Sequence, residues 1–208
     1  MSPVDRLDAE ALRAALVGHR IGREVVVLEE TTSTNDVIRQ LAPAHAEGLI
    51  VFAEHQTAGR GQYGRRWESA AGKGLWFSIL LRPLIEPAES ARLTDSLSRS
   101  TAATIADELE LQPTIKPPND IYLDGRKVAG VLVEMRVAPG GRYFAIAGIG
   151  LNVNQATEDF PAELRQTSIS LAMAKGQPVD RTRLALALLR KLDVGYAVEF
   201  TLASTASR

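Results

Sequence analysis

The chain has 208 residues, a formal net charge of −1 at pH 7, 45% hydrophobic and 24% charged residues, and no cysteine. This length suits one domain, and the composition is that of an ordinary globular protein. The near-zero net charge disfavours a general nucleic-acid binder. The lack of cysteine excludes disulfides, thiolate metal sites and cysteine nucleophiles. We find neither a membrane-length apolar run nor a leader-like segment, so we expect a cytoplasmic protein without a membrane partner.

The first half of the sequence alternates between helical and extended patterns. Apolar spacing predicts two helices and two strands, in the chain order helix 8–16, strand 24–29, helix 34–41 and strand 49–55. Asp8 is the expected N-cap of the first helix. The segment that follows, 56–67, is rich in Gly and Arg and has no apolar period. We therefore expect a loop there.

The second half predicts more strands than helices. The continuous apolar run 75–82 is typical of a strand buried on both faces, and 88–109 has helical spacing. Four further strands are predicted at 114–116, 121–123, 126–136 and 142–153. Asp124-Gly125 suits a hairpin turn, 180–200 a last amphipathic helix, and 201–208 a frayed tail. Together these elements predict an α+β fold, with a mixed sheet packed against helices in one domain over 1–200.

The Gly- and Arg-rich segment runs from Gln56 to Trp67 and contains three glycines and three arginines. The glycines permit close backbone approach to a ligand, and the arginines supply forked donors for phosphate or carboxylate. The closing Gly-Lys-Ser/Thr of a nucleotide-triphosphatase phosphate loop is absent. From these residues alone, an anion site and a solvated basic loop are both open interpretations.

The sequence Lys116-Pro-Pro-Asn119-Asp120 predicts a rigid corner, because proline restricts both itself and the residue before it. The expected hairpin turn then returns the chain so that Lys127 lies beside this corner. A lysine in an apolar strand is costly unless its ammonium meets an anion. An edge lysine that reaches solvent along its aliphatic stem is an equally open interpretation.

An apolar strand ends in alternating glycine and asparagine, from Gly148 to Asn154. Asparagine offers both a donor and an acceptor, as adenine recognition requires. The motif by itself favours a simple ending of the strand in a turn.

Taken together, these clusters resemble the biotin protein ligase family. That family typically has Ser-Thr-Asn, then Gly-Arg-Gly-Arg-Arg-Gly-Arg followed by Trp, Lys-Trp-Pro-Asn-Asp, a further lysine, Gly-Ile-Leu and Gly-Ile-Asn. This chain has the matching elements in the same order: Ser33-Thr34-Asn35, Gly59–Trp67, Lys116–Asp120, Lys127, Gly130-Val-Leu and Gly150-Leu-Asn152. It departs at Pro117, where the family has Trp, and at Gln62-Tyr63, where the family often has Arg-Arg.

The resemblance implies an enzyme that uses ATP and Mg²⁺ to activate biotin as biotinyl-5'-AMP, then transfers biotin to a lysine of a biotin carboxyl carrier protein. The implied catalytic residues are Lys127, Arg60 and Lys116. The implied biotin-binding residues are Ser33, Thr34, Asn35, Gln56, Arg60, Gly61, Gln62, Trp67, Lys127 and Gly130. The implied ATP-binding residues are Arg65, Lys116, Asn119, Asp120 and Asn152, and Asn119 is also the candidate Mg²⁺ ligand.

Two alternatives stay open beside this function. One is a lipoate or octanoate ligase, against which the Gly59–Trp67 loop and the Ser33-Thr34-Asn35 set argue. The other is a non-catalytic biotin- or adenylate-binding protein, which the two lysines disfavour. With 32 residues before Ser33 and about 54 after Asn154, we expect a short form without an N-terminal winged helix or a C-terminal β-barrel. A homodimer is compatible with the sequence, and no nucleic-acid partner is expected.

Overall fold

The computed structural model describes residues 6–138 and 140–201. The strands are β1 (Glu24–Thr31), β2 (Leu49–Gln56), β3 (Gly74–Leu81), β4 (Thr114–Lys116), β5 (Asp120–Leu123), β6 (Arg126–Val137) and β7 (Tyr143–Asn152). The helices are α1 (Ala9–Ala15), α2 (Thr34–Leu41), α3 (Ser90–Leu109), α4 (Leu171–Lys175) and α5 (Arg181–Phe200). None of the helices in these ranges is long and apolar enough to cross a membrane.

The strands form one seven-stranded sheet in the order β1-β2-β3-β7-β6-β5-β4. β1 and β2 are parallel, with α2 as the crossover between them, and the other neighbours are antiparallel. A parallel pair needs such a crossover, whereas antiparallel pairs can be joined by tight turns. The predicted α+β fold with a mixed sheet is confirmed.

Two apolar cores form because successive side chains of a strand point to opposite faces of the sheet. The larger core packs α1, α3 and α5 against one face. The smaller core places Ile38 of α2 against Val51, Leu80 and Ile146 on the other face. Every residue of the central strand β3 is buried, as its continuous apolar run predicts.

A buried ion pair joins the start of α5 to the middle of the sheet. Arg181 is 0% exposed. Its Nη1 lies 2.7 Å from Glu54 Oε2 on β2 and donates to the Gly74 carbonyl at the start of β3. Glu54 also accepts from the backbone N–H of Leu7 at 2.9 Å. The pair therefore connects α5 and the segment before α1 to the adjacent strands β2 and β3.

The predicted elements are all present, and most boundaries agree within about two residues. Asp8 is the N-cap of α1, accepting from the N–H groups of Glu10 and Ala11. The helix predicted over 88–109 begins with a 3₁₀ turn, Pro87–Glu89, before α3. Sequence patterns missed α4 and the 3₁₀ turns near residues 157–164. Segments of three to five residues are too short for a helical repeat of apolar residues to be recognised. Of the predicted tail, residues 202–208 lie outside the described residues.

Candidate active site

One cavity of about 540 Å³ receives residues from every cluster that the sequence singled out. It is bordered by the start of α2, the end of β2, the Gly- and Arg-rich segment, the Lys116–Asp120 corner and the neighbouring strands β6 and β7. All the predicted catalytic, biotin-binding and ATP-binding residues line it, from Ser33 to Asn152. The structure thus brings the predicted residues together, while the role of each stays a prediction.

A buried hydrogen-bond network forms the polar end of the cavity. Gln56 Oε1 accepts from the backbone N–H of Thr34 at 2.8 Å. Thr34 Oγ1 shares a 2.6 Å hydrogen bond with Ser78 Oγ, and Ser78 Oγ donates to Asn35 Oδ1 at 2.5 Å. Asn35 Oδ1 is therefore already an acceptor within the network. Its Nδ2 is buried and has no hydrogen-bond partner among the described residues.

Ser78 was not predicted as a site residue. It is 0% exposed on β3, inside the run LWFSILL that indicates a buried strand. A lone serine in such a run is the signal that could have found it, because a buried hydroxyl needs a partner. Its partners, Thr34 and Asn35, are known only once β3 and α2 are placed together.

Three glycines of β6 and β7 make room for the side chains of this cavity. A Cβ at Gly150 would lie 2.5 Å from Trp67 Cε2, and one at Gly130 would lie 3.0 Å from Trp67 Cζ3. Gly130 and Gly150 are paired in the β6–β7 register, so together they form a flat floor under the Trp67 ring. At Gly148, a Cβ would collide with Asn35 Oδ1.

The predicted loop after β2 is closed into a tight turn by its own backbone. Gly61 N–H donates to the Arg65 carbonyl at 2.7 Å, and Trp67 N–H donates to the Gly59 carbonyl at 2.9 Å. A 3₁₀ turn, Gln62–Gly64, forms the tip, where Tyr63 has φ 58° and is 87% exposed. The two backbone hydrogen bonds therefore hold a turn whose arginines and Gln62 line the cavity.

Arg60 lies between two carboxylates at the cavity wall. Its Nη1 donates to Asp36 Oδ1 at 2.6 Å, and its Nη2 lies 3.6 Å from Glu134 Oε1. Within the residues described, Nε and Nη2 are buried without a hydrogen-bond partner. The guanidinium therefore has one short hydrogen bond, to Asp36, and a longer ion pair with Glu134.

The β5–β6 hairpin carries Lys127 back to the Lys116–Asp120 corner, as predicted. Asp124 and Gly125 both have positive φ, 49° and 70°, so the predicted hairpin turn is confirmed. Lys127 Nζ lies 2.6 Å from Asp120 Oδ1 and 5.2 Å from the Trp67 ring centroid. The ammonium thus meets a carboxylate inside the cavity. Because β6 lies between β7 and β5, Lys127 is not on an edge strand.

Two asparagines that line the cavity donate from their side-chain amides to backbone carbonyls. Asn119 Nδ2 donates to the Val131 carbonyl at 2.9 Å, and Val131 N–H donates to the Asn119 carbonyl. This orientation leaves Asn119 Oδ1 for a ligand. Asn152 Nδ2 donates to the Ile169 carbonyl at 3.2 Å, and Asn152 Oδ1 accepts from Gln155 Nε2 at 3.1 Å.

Comparison with known proteins places this arrangement in a family. Residues 27–154 match the model of the biotin/lipoate A/B protein ligase family. The chain belongs to this family. It is 37% identical over 177 residues to the bifunctional ligase/repressor BirA of Bacillus spizizenii, covering 85% of this chain and 54% of that protein. It is 34% identical over 194 residues to the biotin--[acetyl-CoA-carboxylase] ligase of Mycobacterium tuberculosis, covering 90% of this chain and 70% of that one.

A solved structure of another family member supports the fold assignment. The biotin protein ligase from Aquifex aeolicus in complex with biotin and ATP superimposes with a TM-score of 0.72 at 31% identity, covering 83% of this chain and 70% of that chain. The present chain spans about half the length of the Bacillus relative.

The far wall of the cavity of this ligase-family chain comes from a segment that the sequence did not single out. Phe160, Leu164 and the Thr167-Ser168 pair line it, after the end of β7. Lys127 N–H donates to the Thr167 carbonyl at 2.7 Å, which joins this segment to β6. The segment has no apolar period, and no local signal marks it as part of a site.

An ion pair fastens the same segment near its start. Lys73 Nζ lies 2.5 Å from Asp159 Oδ2. Burial raises the pKa of the Asp159 carboxyl, but hydrogen bonds from Lys73 and from the backbone N–H of Ala156 outweigh that effect, so the pKa lies below its ordinary value. Asp159 is therefore ionised at neutral pH, and the pair holds the turn that carries Phe160.

Proposed function

We propose that this chain is an ATP-dependent biotin protein ligase. It would join biotin to AMP and then pass biotin to a lysine of a biotin carboxyl carrier protein. The observation that carries the proposal is the cavity itself, which has a buried polar end at Asn35 and cationic groups at Arg60 and Lys127. A ligand with a hydrogen-bonding head and an acidic tail, as biotin is, matches that distribution. The names of the similar proteins support the same substrate.

The polar end would hold the ureido ring of biotin. That ring has a carbonyl acceptor and two N–H donors, so its pocket needs both kinds of group. Asn35 Nδ2 is a buried donor without a partner in the described part of the chain. A ligand carbonyl would satisfy it and remove the cost of a buried unpaired donor. Ser33, Thr34 and Gln56 would complete this end, and Trp67 would cover the apolar part of biotin.

The cations would allow two anions to react. An oxygen of the biotin carboxylate forms a bond to the α-phosphorus of ATP, and the bond from that phosphorus to the bridging oxygen breaks, releasing pyrophosphate. Lys127 and Arg60 would hold the carboxylate and the phosphoryl oxygens, and Lys116 and Arg65 would hold the other phosphates. Such groups orient the reactants and offset the charge that develops in the transition state.

The second step needs no enzyme-bound covalent intermediate. The acceptor lysine amine attacks the acyl carbon of biotinyl-AMP, an amide bond forms, and AMP leaves with the electron pair of the broken carbon–oxygen bond. The amine loses a proton in the process. Asp120 is the partner of the Lys127 ammonium in the ligand-free protein. We infer that the ligand anion replaces the Asp120 carboxylate as this partner when biotin binds.

Asn119 would hold a Mg²⁺ ion at the corner, because its Oδ1 is left over after its amide nitrogen donates to the Val131 carbonyl. Mg²⁺ typically uses one or two such protein oxygens together with substrate phosphates. The ion would neutralise part of the charge on the phosphates. Asn152 would face the adenine, with its amide fixed by Ile169 and Gln155.

One experiment tests the proposal. The protein is incubated with ATP, Mg²⁺, labelled biotin and a biotin carboxyl carrier domain, and label on the carrier is measured. Parallel reactions contain labelled lipoate or octanoate, which test the other substrates of the family. Label on the carrier from biotin alone supports a biotin ligase. If lipoate or octanoate is transferred in preference to biotin, the proposed function is wrong and the protein is a lipoate or octanoate ligase. Biotin binding without pyrophosphate release or transfer would indicate a non-catalytic binding protein.

A further inference from the structure

Arg60 is the central member of a chain of alternating charges that crosses the cavity wall. Arg39 Nη2 donates to Asp36 Oδ1 at 2.6 Å, and Arg60 Nη1 donates to the same oxygen at 2.6 Å. On the other side, Glu134 lies 3.6 Å from Arg60 and 3.3 Å from Arg136. Three guanidiniums and two carboxylates leave one net positive charge. This series of charged side chains therefore joins α2 to β6 through Arg60, and its net positive charge attracts an anion.

The two carboxylates lie outside the set of cavity-lining residues, whereas Arg60 belongs to it. This distinguishes Asp36 from Asp120, which lines the cavity and competes with a ligand for Lys127. Asp36 does not line the cavity, and it accepts a hydrogen bond from one terminal nitrogen of Arg60, Nη1. The donors that it leaves, Nε and Nη2, are buried and lack a hydrogen-bond partner in the described ranges.

We propose that Asp36 is a positioning residue that holds the Arg60 guanidinium by Nη1, so that the guanidinium keeps its place at the cavity wall, where the carboxylate or phosphate oxygens of the ligand would bind. A planar guanidinium suits such a ligand because its donors match the oxygens of a carboxylate or phosphate group. Asp36 is the stronger of the two carboxylate partners, since it accepts a charge-assisted hydrogen bond at 2.6 Å whereas Glu134 lies 3.6 Å away. This role rests on the proposed function, because it concerns the residue that would hold the acidic tail of biotin.

Charge alone predicts the opposite result, which makes the inference testable. Asp36→Asn removes a negative charge near an anion site, and a purely electrostatic effect would strengthen binding of the ligand anion. Loss of positioning would instead weaken it. We expect D36N to raise the KM for biotin by about tenfold, the scale of one lost charge-assisted hydrogen bond. Asp36→Glu, which keeps the charge, should recover part of this loss.

The matched control is Arg39→Gln, which removes the other partner of the same carboxylate oxygen and leaves Arg60 in place. Arg39 is 48% exposed at its side chain, and exposed pairs of this kind contribute little. We expect R39Q to stay within about twofold of the wild type. An equal loss in R39Q and D36N would assign the effect to the α2 surface and overturn the positioning role.

A double-mutant cycle decides whether Asp36 acts through Arg60. If it does, D36N combined with Arg60→Gln should be no worse than R60Q alone, since the group being positioned is already gone. Additive losses would overturn the inference. Nitrogen relaxation of Arg60 Nε in the ligand-free protein gives a second readout, independent of turnover. We expect that group to be ordered in the wild type and mobile in D36N.

The outcomes separate this inference from the proposed function. A wild-type protein that neither binds biotin nor releases pyrophosphate would reject the proposed function. An active wild-type protein, with D36N equal to it in KM and in the order of Arg60 Nε, would overturn the positioning role alone. Should D36N fold poorly, Asp36→Ala removes the same contact with Arg60. Unchanged order of Arg60 Nε in D36A, together with an unchanged KM for biotin, would likewise overturn the positioning role.

Discussion

Replacing Lys127 by alanine removes the ammonium that lies 2.6 Å from Asp120 and faces the cavity. The expected loss of activity follows from the electrostatic attraction between this ammonium and the substrate anions. Two unit charges about 4 Å apart interact by roughly 4 kcal/mol at an effective dielectric constant of about 20. The Lys127 side chain is 29% exposed, so water screens part of this energy. We expect adenylate formation to fall by about 10²–10³-fold, the scale for loss of one preorganised charge partner.

The assay is pyrophosphate release in the presence of biotin, ATP and Mg²⁺. Thermal unfolding is measured beside it to show that the variant is folded. Lys191→Ala is a matched control, since Lys191 also pairs with an aspartate, at 2.5 Å, but on the exposed surface between α5 and α3. It should release pyrophosphate at the wild-type rate.

The variant also leaves Asp120 without its cation. The uncompensated carboxylate would then repel the substrate anions, so part of the loss in Lys127→Ala comes from Asp120 and not from the missing ammonium. Adding Asp120→Asn should therefore restore part of the activity. Near-normal pyrophosphate release by Lys127→Ala would refute the role of Lys127 and the charge reasoning on which it depends.

Three further predictions concern the loop, the adenylate and the core. The segment 56–67 should gain amide-exchange protection when biotin or its adenylate binds, because its glycines raise its conformational entropy and a ligand in the cavity would contact it; equal protection with and without ligand would contradict this. Gln62→Arg should slow release of labelled biotinyl-adenylate by about 10–100-fold, the value of one added charge-assisted hydrogen bond, and an equal release rate would mean that position 62 does not face the phosphate. Arg181→Ala should lower the free energy of unfolding in urea by about 3–5 kcal/mol, because it leaves Glu54 buried and unpaired. An Arg181→Ala loss below about 1 kcal/mol, the level of an exposed pair, would show that the buried pair adds little stability.

The sequence by itself determined the elements and the residues of the candidate site. Strand and helix positions followed from periodicity, because burial on one face imposes a repeat of two or of 3.6 residues. The hairpin turn followed from Asp124-Gly125, because only such residues readily take positive φ at both positions. The choice of site residues followed from the resemblance of the motifs to the biotin protein ligase family, and the cavity then brought these residues together.

Only the tertiary structure decided which of these residues contact one another. No local pattern pairs Asn35 with Ser78, Arg60 with Asp36 or Lys127 with Asp120, because each partner lies on another element whose position depends on the packing of the whole sheet. The same holds for Phe160, which reaches the cavity from a segment without periodicity. Periodicity reports only which face of an element is buried, whereas a site is built from contacts between elements. Those contacts are fixed when the sheet order and register are fixed.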